Sequence, residues 1–178
     1  LSTRTSWIMA LIGLVAIVAA WNYTGGKNPY GYKGLGEFSV FIFFGLVATL
    51  GTFYSQTGTI TFKSILASIS IGASACALLA VNNIRDLDND REVSKKTLAV
   101  RLGDERARQF YSFLIFVSIL TALPLTLFAA VAIIPGIGLF VDIKRRKGGE
   151  LIAVLGNTGR FQLILATMLA LGSILQKI

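Results

Sequence analysis

From Phe110 to Val141 the chain runs through 32 residues without one charged side chain. Such a segment suits lipid rather than water, and a bilayer takes only about 20 helical residues per crossing. One straight helix of this length would reach roughly 48 Å, well past the hydrocarbon layer. The sequence therefore predicts two short spans that part near Pro124, with Pro135 kinking the second inside a bundle. Four more apolar runs accompany it: Trp7–Trp21, Phe38–Tyr54, Ser64–Val81 and Phe161–Leu175, the last entered by helix from Leu151. Trp7 and Trp21 put an indole at each end of the first, as interfacial anchors do. The third is rich in Ala, Ser and Gly, which let helices approach closely in lipid, so it is expected inside the bundle. The predicted fold class is all-α, a polytopic transmembrane helix bundle of six spans forming one domain over residues 1–178.

Charge sharpens this reading. Only 15% of the 178 residues are charged, against roughly 25% in soluble domains. Seventeen Lys/Arg face nine Asp/Glu, a net +8 without histidine. Lacking histidine, the chain holds no Ser-His-Asp triad, His-ligated zinc or HExxH site. A basic balance on a polar chain would suggest nucleic acid; on long apolar runs it points instead to membrane lipid headgroups or an anionic substrate, and no nucleic acid is expected. Cys76 is the lone cysteine, in an apolar stretch, so no intramolecular disulfide forms and packing is its expected role.

Six spans sort the loops onto two sides. One side carries Arg4, Lys63 and Lys177 and no acid; the other, loops 24–37, 85–108 and 142–160, carries the remaining 14 bases and all nine acids. The positive-inside rule makes the second side cytoplasmic. The KRRK run at 144–147 reads mostly as a topology anchor toward anionic lipid.

Thirteen charges crowd into residues 82–108, beginning with NNIRDLDNDRE at 82–92. Asn82, Asp86 and Asp90 are spaced i, i+4, i+8, which aligns them in one stripe on an α-helix. Two carboxylates and an amide suit a hard cation, and Mg²⁺ binds through one or two carboxylates, waters and substrate phosphates. A calcium EF-hand is excluded, since its loop glycine and terminal Glu are missing. Alternatively the segment is a solvated charged collar where a helix leaves the membrane. Arg91, Lys95, Lys96 and Arg101 follow closely and supply phosphate-binding charge, or singly act as positive-inside anchors. Together, acid stripe, basic cluster and apolar bundle suggest a Mg²⁺-bridged, membrane-dissolved diphosphate. The loop YTGGKNPYGYKGLGE at 23–37 has five glycines and a proline, too many for a regular helix. It is either a ligand-approaching loop or an interfacial turn with belt tyrosines, and it lacks the GxGxxG spacing of a dinucleotide site.

These blocks, with FSVFIFFGLVATLGTFY after the first and KKTLAVRLGD at 95–104 after the second, resemble the bacterial 1,4-dihydroxy-2-naphthoate polyprenyltransferases, a branch of the intramembrane aromatic prenyltransferases. The acidic motif alone points to the superfamily, the Tyr/Gly loop and KTLAVRLG to the naphthoate branch. The resemblance implies a nine-helix fold of which the six spans are similar to helices four to nine, and Asn82/Asp86/Asp90 to the second of two Asp-rich motifs. The first motif has no counterpart here, and the chain begins with Leu1, so an N-terminally truncated sequence is expected. The implied reaction transfers a polyprenyl group from polyprenyl diphosphate to 1,4-dihydroxy-2-naphthoate, releasing carbon dioxide and diphosphate. The resemblance implies Mg²⁺ held by Asp86 and Asp90 with Asn82 assisting. Lys96 and Arg101, then Arg91 and Lys95, are its diphosphate contacts. Tyr23, Lys27 and Tyr30 border the aromatic acceptor, and multi-pass insertion in the bacterial cell membrane is expected. Rival readings are a branch using 4-hydroxybenzoate or a chlorin acceptor, and a non-enzymatic small membrane transporter or subunit.

Overall fold

The computed structural model describes residues 7–25 and 29–175, and among them every regular element is helical. Helix α1 covers Trp7–Thr24. After a 3₁₀ turn at Tyr30–Lys33, α2 (Gly36–Val40) passes without a break into a π-helical stretch, Phe41–Leu50, and then α3 (Gly51–Thr57). Helix α4 is Phe62–Arg85, followed by the short α5 (Leu87–Glu92) and α6 (Leu98–Leu102). Then come α7 (Asp104–Ala122), a 3₁₀ segment Leu127–Ala132, α8 (Ile133–Arg145) and α9 (Leu151–Leu175).

Helix α4 is the axis. It packs against α7, α9 and the π-helical stretch, and its small side chains make that possible. Ser68, Ser70, Gly72, Ala73, Ser74, Ala77 and Ala80 are all buried. The buried serines find partners at once: Ser68 and Ser74 donate to Ile65 O and Ile71 O in their own helix, and Ser70 Oγ donates to Ser118 O of α7 at 2.8 Å. Thr61 and Ser64 form a reciprocal capping box at the start of α4, satisfying two otherwise open N–H groups. Between α7 and α9, Tyr111 Oη and Thr158 Oγ1 meet at 2.6 Å in the fully buried core. Arg108 of α7 donates to Ile143 O and Arg146 O, taking up open carbonyls at the end of α8.

The outer surface is apolar. Trp7, Trp21, Phe113, Phe116, Ile134 and Leu163 are exposed, as lipid-facing side chains are. Four helical stretches are long and apolar enough to cross a membrane: Gly36–Thr57, Phe62–Arg85, Leu127–Arg145 and Gly148–Leu175. The expected count of six is not confirmed. Met9–Thr24 is apolar but shorter, and α7 spends its first turns on the charged residues Asp104–Arg108. The uncharged run 110–141 does part near Pro124, between the end of α7 at Ala122 and Leu127. Pro135 falls in the first turn of α8, where its missing N–H forfeits no bond within that helix, and a 3₁₀ segment leads into it.

Candidate functional site at the C-terminal end of the central helix

The acid stripe survives a change of helix. Asp86 sits at φ −93°, ψ 8° between α4 and α5, yet Asp86 N still donates to Asn82 O at 3.1 Å and Asp90 N to Asp86 O at 2.8 Å. The i, i+4, i+8 spacing therefore retains its helical hydrogen-bond ladder. Arg85 folds back over the first two members. Its Nε and one terminal nitrogen fork onto Asp86 Oδ1 and Oδ2, both at 2.7 Å, and that same terminal nitrogen reaches Asn82 Oδ1 at 2.9 Å. These hydrogen bonds hold the Asp86 carboxyl below the usual carboxylate range against its partial burial, with the charges of Arg85 and Lys95 adding to the effect.

Asp90 is the buried member, its side chain 4% exposed. The chain reverses after α5 through Ser94, at φ 57°, and brings two donors back to it. Lys95 Nζ lies 3.1 Å from Oδ1, and Thr97 Oγ1 donates to Oδ2 at 3.4 Å. Thr97 is also the N-cap of α6. Lys95 Nζ stands 5.2 Å from the centroid of the Tyr32 ring, a cation–π distance. Lys96 N donates to Tyr32 O at 2.9 Å, and Arg101 Nε to Lys96 O at 3.3 Å. The side chains of Lys96 and Arg101 are exposed, and Arg91 is exposed beside Asp88. Gly34, at φ 77°, lets the turn close on this segment: a Cβ there would lie 2.7 Å from Arg101 Nε and 3.1 Å from Lys96 O.

Two cavities lie beneath. One, of about 450 Å³, is lined by Tyr23, Tyr30, Ser39, Phe43 and small residues of α1. The tyrosine rings meet edge-on at 5.5 Å, and Tyr30 Oη donates to Ala19 O and contacts Ser39 Oγ at 3.0 Å. The other, of about 620 Å³, is an apolar groove between α4, α9 and the π-helical stretch with Asn82 in its wall. Val40 and Phe44 border both. Lys27, expected beside an acceptor, lies outside the described residues.

The structure thus brings Asn82, Asp86, Asp90 and Lys95 into one neighbourhood and leaves Arg91, Lys96 and Arg101 on its exposed rim. Among the described residues no three Asp, Glu, Cys or His side chains converge as a metal site. Two carboxylates and an amide still form an all-oxygen set suited to a hard cation whose remaining positions are filled by waters and phosphate. Arg85 and Lys95 occupy these oxygens, and a phosphate-bearing ligand is what would draw both cations away. Sequence reasoning missed Arg85, Thr97 and Tyr32. Arg85 carried a signal, since an Arg preceding an Asp can fork onto it; Tyr32 reaches the site only through tertiary contact.

The Arg85 fork gives a pH signature. A depressed carboxyl contributes stability above its unfolded value, about 3.9, and that contribution disappears as pH falls through the folded value. The stability difference between the protein and its Arg85→Gln variant, read by thermal unfolding in detergent, is expected to hold steady from pH 7 to about 5 and to shrink below about 4. A difference unchanged down to pH 2 would refute the pairing.

A helical membrane protein with a paired acid–base segment at the mouth of apolar cavities is the class that fold and site define. The chain belongs to the UbiA prenyltransferase family, whose model matches residues 1–149. It is 40% identical over 171 residues to the 1,4-dihydroxy-2-naphthoate octaprenyltransferase of Mycobacterium tuberculosis, covering 92% of this chain and 58% of that relative. Proteins of the same name from Haemophilus influenzae and Escherichia coli are 45% and 41% identical, over 68% and 67% of this chain and 39% of each relative. The matched stretch thus spans 58% of the Mycobacterium tuberculosis relative and 39% of the other two. No solved structure matches.

Proposed function

We propose that the protein to which this chain belongs transfers a polyprenyl group from polyprenyl diphosphate to 1,4-dihydroxy-2-naphthoate, releasing carbon dioxide and diphosphate and giving demethylmenaquinol. The observation that carries the reading is the Asn82/Asp86/Asp90 stripe, with Arg85 and Lys95 in contact, at the end of the groove that Asn82 lines. Breaking the allylic C–O bond develops negative charge on diphosphate, and fixed cations in a dry site stabilise it. Lys95 and Arg85 supply that charge by turning from Asp90 and Asp86 to phosphate oxygens, with Lys96, Arg91 and Arg101 on the rim. Asn82, Asp86 and Asp90 would hold Mg²⁺. The metal, when bound, supplies Lewis-acid stabilisation of the leaving diphosphate. The apolar groove takes the isoprenoid tail and excludes water from the allylic cation. Tyr23 and Tyr30 border the acceptor, with Lys27 matching its carboxylate.

The charge sorting supports a multi-pass protein of a bacterial cell membrane with the acidic segment cytoplasmic. The test is transfer of radiolabelled polyprenyl from its diphosphate by membranes carrying the full reading frame, with 1,4-dihydroxy-2-naphthoate or 4-hydroxybenzoate as acceptor. Labelled product with the naphthoate and Mg²⁺ is expected. Product with 4-hydroxybenzoate alone would reassign the branch, and none with either would overturn the reading.

A further inference from the structure

The transfer reading makes no use of the pocket between the start of α7 and the end of α8. It encloses about 550 Å³, and its wall includes Glu105, Arg108, Gln109 and Ser112 of α7 with Lys144 and Lys147 from the other helix end. That is the size of a small-ligand site. Its frame is fixed by Arg108, whose side chain is 12% exposed. Arg108 Nε donates to both Asp104 oxygens, at 2.9 and 2.8 Å, and Nη1 donates to Ile143 O and Arg146 O. One guanidinium therefore ties the first turns of α7 to the end of α8 and cancels the Asp104 charge. Arg146 in turn pairs with Asp142 at 3.3 Å. Lys144 and Lys147 are exposed and have no ion-pair partner among the described residues. The remaining acid of the wall, Glu105, accepts a hydrogen bond from Gln109 at 3.4 Å and meets no cation among those residues. Two free ammonium groups against one carboxylate leave the pocket positive.

The pocket stands at the head of an apolar trough. On α7, Gln109 and Phe113 are spaced i, i+4, and so are Ser112 and Phe116; on α8, Lys144, Val141 and Ile137 follow one another by three and four. Such spacings stay on one helix face. The polar wall thus continues along each helix into Phe113, Phe116, Val141 and Ile137, all of them exposed. The two helices pack through another face, where Gly136 lies against Ile115 and Ile119. A positive pocket over an apolar trough has the polarity of a phospholipid. A free phosphate would use only the upper half, and a hydrocarbon chain only the lower.

We propose that this pocket binds the headgroup phosphate of an anionic phospholipid, whose acyl chains lie along Phe113, Phe116, Ile137 and Val141. Lys144 and Lys147 hold the phosphate as point charges. Glu105, Gln109 and Ser112 hydrogen-bond the rest of the headgroup. The carboxylate repels a second phosphate and accepts from hydroxyls, so the site suits a phosphoglycerol headgroup. The KRRK run is then more than a topology anchor: two of its four bases belong to one bound molecule, and Arg146 belongs to the frame.

The test uses the full-length protein in neutral detergent, titrated with phosphatidylglycerol or phosphatidylcholine, with retained lipid counted by native mass spectrometry. One phosphatidylglycerol is expected to bind roughly tenfold or more tighter than phosphatidylcholine. A base beside an anionic headgroup is worth about fivefold, so Lys144→Gln with Lys147→Gln is expected to weaken that binding roughly 25-fold. Phe116→Gln is expected to weaken it about fivefold through the trough alone. Arg160→Gln removes a base of α9 outside the pocket and is expected to bind as wild type. Thermal midpoints in lipid-free detergent are expected to be unchanged for the lysine pair, which separates lipid loss from folding loss. Equal binding of the two lipids overturns the proposal, as does a lysine pair that binds within about threefold of wild type, or an Arg160→Gln loss as large as that of the pair. Displacement of the lipid by millimolar inorganic phosphate, with Phe116→Gln behaving as wild type, identifies a free-phosphate site and also overturns it.

Discussion

Full-length protein carrying Asp86→Ala and Asp90→Ala together is expected to lose prenyl transfer by about 10³-fold or more at saturating Mg²⁺. The two carboxylates are the charged part of the oxygen set. Each also holds a cation, Arg85 on Asp86 at 2.7 Å and Lys95 on Asp90 at 3.1 Å, so on the proposed reading their loss would remove the metal ligands and misplace the diphosphate contacts at once. Residues acting as a unit are not additive, so each single variant is expected to show most of the double loss. Asp90→Asn separates chemistry from folding, because it keeps an oxygen for Thr97 and the buried volume while discarding the charge. Asp88 is the internal control. Its side chain is 93% exposed and, among the described residues, pairs only with Arg91, at 3.4 Å, and Asp88→Ala is expected to stay near wild-type rate. Initial rates of label transfer across a Mg²⁺ titration, with thermal unfolding of each variant alongside, decide the matter. A double variant that keeps normal Mg²⁺-dependent turnover would sink the metal assignment.

The largest structural effect is expected at Gly45, in the π-helical stretch. A Cβ there would sit 2.7 Å from Gly72 Cα and 3.0 Å from Ser68 O, and one on Gly72 would meet Gly45 Cα at 3.0 Å. These are backbone atoms and cannot rotate aside, so the π-helical stretch and α4 must separate. Overpacking of this kind is worth about 1–3 kcal/mol for one methyl, or a melting drop of roughly 3–10 °C in a chain of this size. Gly45→Leu is expected to exceed that and to lower activity too, since the same contact sets Glu37, Val40 and Phe44 against the helix bearing Asn82 and Asn83. Gly51→Ala is the matched control: a helical glycine with no atom within 4 Å of the added carbon, expected to melt at or slightly above wild type. Equal melting of Gly45→Ala and Gly51→Ala would show that the two helices do not meet there.

Much of the site was legible because its signal is local. The spacing of Asn82, Asp86 and Asp90 lies within nine residues, and a helix turns any such spacing into a stripe. The groups that answer those oxygens were legible only where they too were close in sequence, as Lys95 was. The Tyr32 ring beside Lys95 and the Asn83 amide on Glu37 arrive from 63 and 46 residues away, and no pattern within either segment announces them. The span count is not confirmed, at α7 for a local reason: its apolar part is preceded by charged turns within the same helix, so run length and helix length part company.

The sequence by itself determined an all-helical membrane protein, the break near Pro124, the buried small-residue helix and the position of the acidic segment. These follow from hydropathy, side-chain volume and helical period, which belong to a stretch of chain wherever it folds. Only the tertiary structure decided that a π-helical stretch meets α4 through two glycines, that Arg85 and Lys95 close over the stripe, and that the Asn83 amide meets the buried Glu37 carboxyl. Each of these is a contact between segments, fixed by how closely backbones approach once the helices pack.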